Sequence, residues 1–155
     1  MNGLEIKELE DHPASATIVA DWVRQEWRTL PIHDYYRDVA WGNPTDRACL
    51  PRTLVALRAD ETVGTVSLLM SDMETRPDLN PWLGCLVVRP LDRGRGLGTR
   101  LVCEGMALAR KMAIDRLYLF TEKDEALYHR IGWTRLETEQ YEGKLVTLMA
   151  IDLPA

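Results

Sequence analysis

The segment that most restricts this chain is Val88-Arg89-Pro90-Leu91-Asp92-Arg93-Gly94-Arg95-Gly96-Leu97-Gly98. It follows Trp82 to Val88, a nearly continuous apolar run of the kind that forms a strand buried on both faces. It precedes residues 99–112, where Leu101, Val102, Met106, Ala109 and Met112 keep the helical period. A buried strand, a glycine-rich loop and an amphipathic helix in direct succession predict an α/β unit. Glycines at 94, 96 and 98 let the backbone adopt positive φ and come close to a ligand. A helix start adds unpaired N–H groups and the positive end of the dipole, which together attract phosphate. Arg89, Arg93, Arg95 and Arg100 lie in or beside this loop, in a chain whose 19 Lys+Arg and 24 Asp+Glu give a net charge of −5. Local charge opposed to the global charge suits a polyanionic ligand. A P-loop is disfavoured because the G-K-[ST] ending is missing, and the G-x-G-x-G spacing fits a Rossmann fingerprint poorly.

The remaining elements follow from periodicity and punctuation. Leu4 to Leu9 is a short first strand. Asp11 and Pro13 predict a helix start, with Ile18, Val19, Trp22, Val23 and Trp27 at helical spacing. A second helix is expected over residues 34–40, broken by Trp41-Gly42-Asn43-Pro44. Residues 53–58 and 62–70 read as a hairpin turning at Asp60-Glu61, followed by a polar loop to Pro81. Leu117 to Thr121 is a strand, and Thr121 and Asp124 form a T-x-x-D helix-start signal. The helix they open carries Leu127, Tyr128 and Ile131 and stops at Gly132. Residues 133–141 and 144–152 form a closing hairpin around Glu142-Gly143. The order predicts one α/β (α+β) domain over residues 1–155, built on a mixed sheet.

Composition excludes several classes. Hydrophobic residues are 46% and charged residues 28%, which argues against disorder, and the acidic balance argues against a general nucleic-acid partner. Cys49, Cys85 and Cys103 lie far apart, as do His12, His33 and His129, so no metal site is expected. The N-terminus lacks an apolar signal region and no run approaches the ~20 apolar residues of a membrane span. The expectation is a cytoplasmic chain with reduced thiols and no membrane partner. Cys85 and Cys103 read as buried structural cysteines, and His129 as surface.

The loop resembles motif A of the GCN5-related N-acetyltransferases (the GNAT superfamily), whose core [Q/R]-x-x-G-x-[G/A] is matched by Arg93, Gly96 and Gly98. Tyr128-His129-Arg130-Ile131-Gly132-Trp133 resembles the Y-x-x-x-G-[F/W] of motif B. The likeness covers roughly residues 50–150. It implies a GNAT-like acyl-CoA N-acyltransferase fold, a central mixed sheet that splays open and is flanked by helices. It also implies acetyl-CoA as co-substrate, with no metal. By resemblance, Leu86, Val87 and Val88 would pair their main chain with the pantetheine. The amides of Gly94, Arg95, Gly96, Leu97, Gly98 and Thr99, with Arg93, would hold the pyrophosphate. Tyr128 would be the general acid that protonates the departing thiolate. Without the family match, Tyr128 would read as a packing residue.

The chain departs from the family pattern twice. Thr121 stands where many members have an asparagine, and Trp82 where some carry a glutamate base. The base is therefore unassigned, with Asp72, Glu74 and Asp78 in the preceding loop as candidates. For the acceptor site, the first helical region offers Trp22, Trp27, Tyr35, Tyr36 and Trp41, with acids Glu26, Asp34 and Asp38. Aromatics and acids together suit a small cationic amine, and equally the tryptophans pack a helix face. Trp27, Tyr35, Asp72 and Trp82 are the substrate candidates. Other readings stay open: a catalytically silent acetyl-CoA sensor, a protein N-terminal or lysine acetyltransferase, or an unrelated nucleotide binder. The resemblance also allows a homodimer through the closing hairpin.

Overall fold

The computed structural model describes residues 3–27, 33–42 and 49–154. Its elements are β1 (Leu4–Glu8), α1 (Ala16–Glu26), α2 (His33–Ala40), β2 (Arg52–Arg58), β3 (Glu61–Leu69) and β4 (Trp82–Val88). They continue with α3 (Leu97–Lys111), β5 (Arg116–Thr121), α4 (Glu125–Ile131), β6 (Thr134–Tyr141) and β7 (Lys144–Asp152). The seven strands form one sheet in the order β1-β2-β3-β4-β5-β7-β6. All neighbours are antiparallel except β4 and β5. The Asn43-Pro44 break and the Asp34 side chain lie outside the described residues.

Local chemistry sets the boundaries. The first helix starts later than the sequence suggests. Leu9 is fully buried in a short 3-10 turn, and His12, at φ −143° and ψ 64°, interrupts the chain before a second 3-10 turn at Pro13–Ser15. The β2–β3 hairpin turns at Ala59-Asp60, one residue before the expected position, with φ 50° and 66°. The β6–β7 hairpin turns at Glu142-Gly143 with φ 51° and 78°. Two central residues at positive φ match the right-handed twist of the strands they join, and Asp tolerates that region better than most residues. Asp124 N–H donates to Thr121 Oγ1 at 3.0 Å ahead of α4, and Gly132 ends that helix at φ 118°.

Each face of the sheet carries its own core. α3 and α4 cover one face, where Leu83, Leu97, Leu101, Val102, Leu119, Tyr128 and Trp133 pack together. α1 and α2 cover the other, with Val19, Val23, Tyr36, Met73, Trp82, Cys85 and Leu148. Tyr36 Oη and Thr53 Oγ1 both meet Ser67 Oγ, at 3.1 and 2.7 Å, which satisfies buried hydroxyls under α2. Cys85 is buried as expected, but Cys103 is exposed. It falls on the solvent side of α3, whose buried stripe is Leu101, Val102, Gly105, Met106, Leu108 and Ala109. Among the described residues no helix is long and apolar enough to cross a membrane.

Candidate active site

The site begins with a defect in β4. Gly84 pairs with Ser67 and Val87 with Thr65, so the register slips between them. Cys85 sits at φ 54°, a rare conformation for a residue with a Cβ. The bulge bends the strand. β4 meets β5 only at Trp82↔Tyr118, and beyond that rung the two strands diverge. Along Leu86, Val87 and Val88 the edge of β4 has no β5 partner. Val88 O accepts from Arg93 Nε, and the remaining main-chain groups on that edge need another partner. The gap opens into a cavity of about 710 Å³ that draws residues from both faces of the sheet.

One end of the cavity is the glycine loop. Gly94 and Gly96 have φ 78° and 82°, and no atom lies within 4 Å of a Cβ built on either. Side chains there would be strained and would fill open space before the α3 N-terminus, so the residues present leave an open cradle of the shape that suits an anion. Asp92 holds the cradle from behind. It is 3% exposed, pairs with Arg58, and accepts from Arg89 Nε at 2.7 Å. Burial alone would raise its carboxyl pKa, but the two arginines outweigh that and hold it low. Arg89 also pairs with Glu61, Arg93 Nε donates to Val88 O at 2.8 Å, and Arg100 lies 3.7 Å from Glu104. Arg89 and Arg100, read from sequence as ligand cations, thus already have internal carboxylate partners.

Tyr128 lines the same cavity from α4. Its ring stacks edge-on to Trp133, with centroids 6.2 Å apart. Burial, then the Asp124 charge, push its phenol up to about 12, so it carries its proton throughout the neutral range. That is the state a proton donor needs.

The opposite end lies on the α1/α2 face, where Glu26, Trp27, Asp72, Cys85, Tyr141 and Glu142 meet. Asp72 lies under β4: a Cβ on Gly84 would come 2.6 Å from Asp72 Oδ2. Burial raises its carboxyl from the usual range to about 7. Burial also pushes the Cys85 thiol up, with the Asp72 charge adding to it, so Cys85 is no nucleophile at neutral pH.

The cavity therefore brings together Leu86, Val87, Val88, Arg93, Gly94, Gly96, Leu97, Gly98, Thr121, Tyr128, Trp27 and Asp72. Four expected residues are not among its lining. Arg95 is exposed and Thr99 half-buried. Tyr35 is buried against Tyr36 on α2, at 5.3 Å between ring centroids. Trp82 is fully enclosed, donating its indole N–H to Leu79 O at 2.7 Å. Both aromatics belong to the core of the α1/α2 face rather than to a ligand surface. Sequence reasoning missed Tyr141 and Glu142, which reach the cavity from the β6–β7 turn. Nothing local marks them, because only the pairing of β7 with β5 brings that turn to the end of β5, across the gap from β4. Among the described residues no His, Cys, Asp and Glu cluster could hold a metal.

Comparison with known proteins agrees with this architecture. The model of the acetyltransferase (GNAT) family matches residues 16–133. The putative acetyltransferase yncA from Salmonella typhimurium, solved with its cofactor acetyl-CoA, superposes with a TM-score of 0.74 at 17% identity, covering 99% of this chain and 95% of that one. An aminoglycoside 6′-N-acetyltransferase complexed with coenzyme A gives 0.72 at 18% identity, covering 97% and 98%. Arabidopsis thaliana Naa50, in complex with the bisubstrate analogue CoA-Ac-MVNAL, gives 0.67 at 16%, covering 96% and 98%. No curated protein matches the sequence. The family model spans well over half of the chain, across the bulged strand, the glycine cradle and the tyrosine helix, and the chain belongs to the GNAT acetyltransferase family.

Proposed function

We propose that this protein transfers the acetyl group of acetyl-CoA directly to a primary amine of a small cationic molecule. One observation carries the reading: β4 abandons β5 after a single rung and opens a cavity with a glycine cradle at one end and Tyr128 on its wall. The free edge of β4 suits the amide-rich pantetheine arm, which can complete the missing ladder as an added strand. The open space over Gly94 and Gly96 suits the pyrophosphate. A main-chain N–H beyond the bulge would polarise the thioester carbonyl, and Tyr128 would protonate the thiolate as the C–S bond breaks.

The acceptor class rests on the far end of the cavity. Trp27 and Tyr141 supply aromatic surface, and Glu26, Asp72 and Glu142 supply negative charge, while Lys144 of the same hairpin is paired with Glu122. A cation is favoured there by both.

The test is a panel of amines incubated with acetyl-CoA and read by thiol release. The panel contains polyamines, aminoglycosides, amino acids and a peptide with a free N-terminus. Turnover is expected with a small polycationic amine. Acetylation of the peptide alone would reassign the acceptor to proteins. Stabilisation by NAD or ATP but not by CoA would reject the acetyltransferase reading.

A further inference from the structure

Building on that reading, we propose that Asp72 is the general base that removes a proton from the acceptor amine beside the β4 bulge. A primary ammonium has a pKa near ~10.4 and no lone pair to attack with, so a neighbouring proton acceptor is needed. β4 itself, Trp82–Val88, contains no carboxylate, so a base must come from another element.

Three observations converge on Asp72. Its carboxylate opens onto the cavity immediately beneath the bulge, and it fits there because residue 84 has no Cβ, which would stand 2.6 Å from Oδ2. It is partly solvent-accessible through the cavity and has no hydrogen bond or ion pair among the described residues, so its oxygens are left to cavity water or to a ligand. The contrast is Asp92, which has two arginines. The nearest cation in sequence, Arg76, is committed elsewhere, to Glu137, Glu139 and Asp78. Finally, the loop that carries Asp72 is fixed: Met73 is fully buried and Arg76 N–H donates to Met73 O at 3.0 Å. An unpaired carboxylate on a fixed loop, turned into the cavity, has no evident role in holding the fold.

The ionisable groups around it reinforce basicity. Cys85 faces it from β4 and Tyr141 from the end of β6, and both sense its charge. Tyr36 stands behind Cys85 from α2. Glu26 from the end of α1 and Glu142 from the β6–β7 turn share the cavity. Glu74 and Arg76 lie on its own loop. Lys123 and Lys144 also line the cavity, with Glu122 and Asp124, and Lys144 is paired with Glu122 at 3.5 Å. With Arg76 neutralised, burial sets the Asp72 affinity for a proton near neutrality, where a base works best.

The protons balance as follows. Asp72 takes one from the ammonium and passes it to cavity water. The freed lone pair forms the C–N bond at the thioester carbonyl carbon. The C–S bond breaks with its electron pair going to sulfur, which takes the Tyr128 proton. The nitrogen sheds its second proton as the amide forms, restoring Tyr128, and one proton reaches solvent overall.

The experiment compares the wild type with Asp72→Asn using acetyl-CoA and two nucleophiles: spermidine, protonated at pH 7, and hydroxylamine, neutral at that pH. With spermidine, Asp72→Asn is expected to lower kcat/KM about 10²-fold and to erase the wild-type limb near pH 7. With hydroxylamine the loss is expected to be much smaller, and the acetyl-CoA Kd unchanged. Gly84→Ala, which displaces the carboxylate and alters no ionisable group, is expected to lower spermidine turnover in the same selective way. Equal losses with both nucleophiles, or a retained limb in Asp72→Asn, would overturn the assignment while leaving the acetyltransferase reading intact. A wild type that neither binds acetyl-CoA nor releases thiol would overturn both. If acetyl-CoA binds but neither nucleophile turns over, carboxyl NMR of Asp72 in the complex decides: an ordinary carboxylate pKa overturns the base, and a value near 7 upholds it.

Discussion

The two ends of the cavity are built in opposite ways. The cradle end is one short stretch of chain, Arg93 to Gly98, of which all but Arg95 line the cavity. Its important side chains, Asp92, Arg58 and Arg89, stand behind it as scaffold. The acceptor end is made of side chains gathered from α1, the β3–β4 loop and the β6–β7 turn. Backbone recognition depends on loop conformation and tolerates little change. Side-chain recognition on loops can change while the sheet stays constant. The difference explains how a chain under 20% identical to two CoA-bound neighbours shares their fold while its acceptor must be found by experiment.

Breaking the cradle should have the largest effect. Gly96→Glu forces a Cβ into φ 82° and adds a carboxylate where phosphate would lie. Acetyl-CoA affinity measured by calorimetry is expected to fall by at least about 10²-fold. Unchanged affinity would place the phosphates elsewhere and dissolve the contrast between the two ends. Tyr128→Phe tests the wall that joins them. It is expected to lower kcat by about 10²-fold while the Kd for acetyl-CoA stays within about twofold, since packing against Trp133 survives. Equal turnover would reject Tyr128 as the acid.

The same contrast governs what the sequence makes legible. The cradle could be read because glycines at fixed intervals between a strand and a helix define a local backbone shape, and the Tyr128–Gly132 spacing is equally local. The succession of strands and helices needed only periodicity and turns. The acceptor end was less legible, because tertiary placement sorts identical chemistry. Asp72, Glu74 and Asp78 share one loop, yet Asp78 pairs with Arg76, Glu74 is exposed and only Asp72 lies beneath Gly84. Tyr35 and Trp82 are the right residue types in core positions. Likewise, no spacing rule shows that Arg89 is bound to Asp92 and Glu61 rather than offered to a ligand.

A cost to stability should mark the acceptor end. The Asp72 carboxyl is raised to about 7 by burial, so the folded state binds its proton more tightly than the unfolded chain. The stability gained from that proton is fully present below the unfolded value near ~3.9 and is lost as pH rises through about 7. A shift of about 3 units corresponds to about 4 kcal/mol at most, and water reaching the carboxylate through the cavity reduces it. Asp72→Asn is therefore expected to be more stable than the wild type at pH 8, with the advantage shrinking towards pH 4. Denaturant midpoints at the two pH values measure it, and a pH-independent difference would show that Asp72 is not desolvated.

The smallest effect is expected at Arg76, which fixes the acceptor loop to the edge strand β6 through Glu139 at 2.8 Å and Glu137, and braces the loop internally through Asp78 at 3.0 Å. The hydrogen bonds to these acids, Asp78 first, push its guanidinium pKa further up, so it stays charged at any working pH. Exposed ion pairs contribute about 1 kcal/mol or less, so Arg76→Ala should barely move the denaturant midpoint. Loosening the loop misplaces Asp72, and kcat/KM for an ammonium acceptor is expected to fall on the order of 3–10-fold. Arg76→Lys should not restore it, because a single ammonium cannot reproduce the planar fork that spans several carboxylates. Acetyl-CoA affinity should not change in either variant. A drop in that affinity would mean that strain at the acceptor loop reaches the cradle through β4, making the two ends one mechanical unit rather than two independent ones.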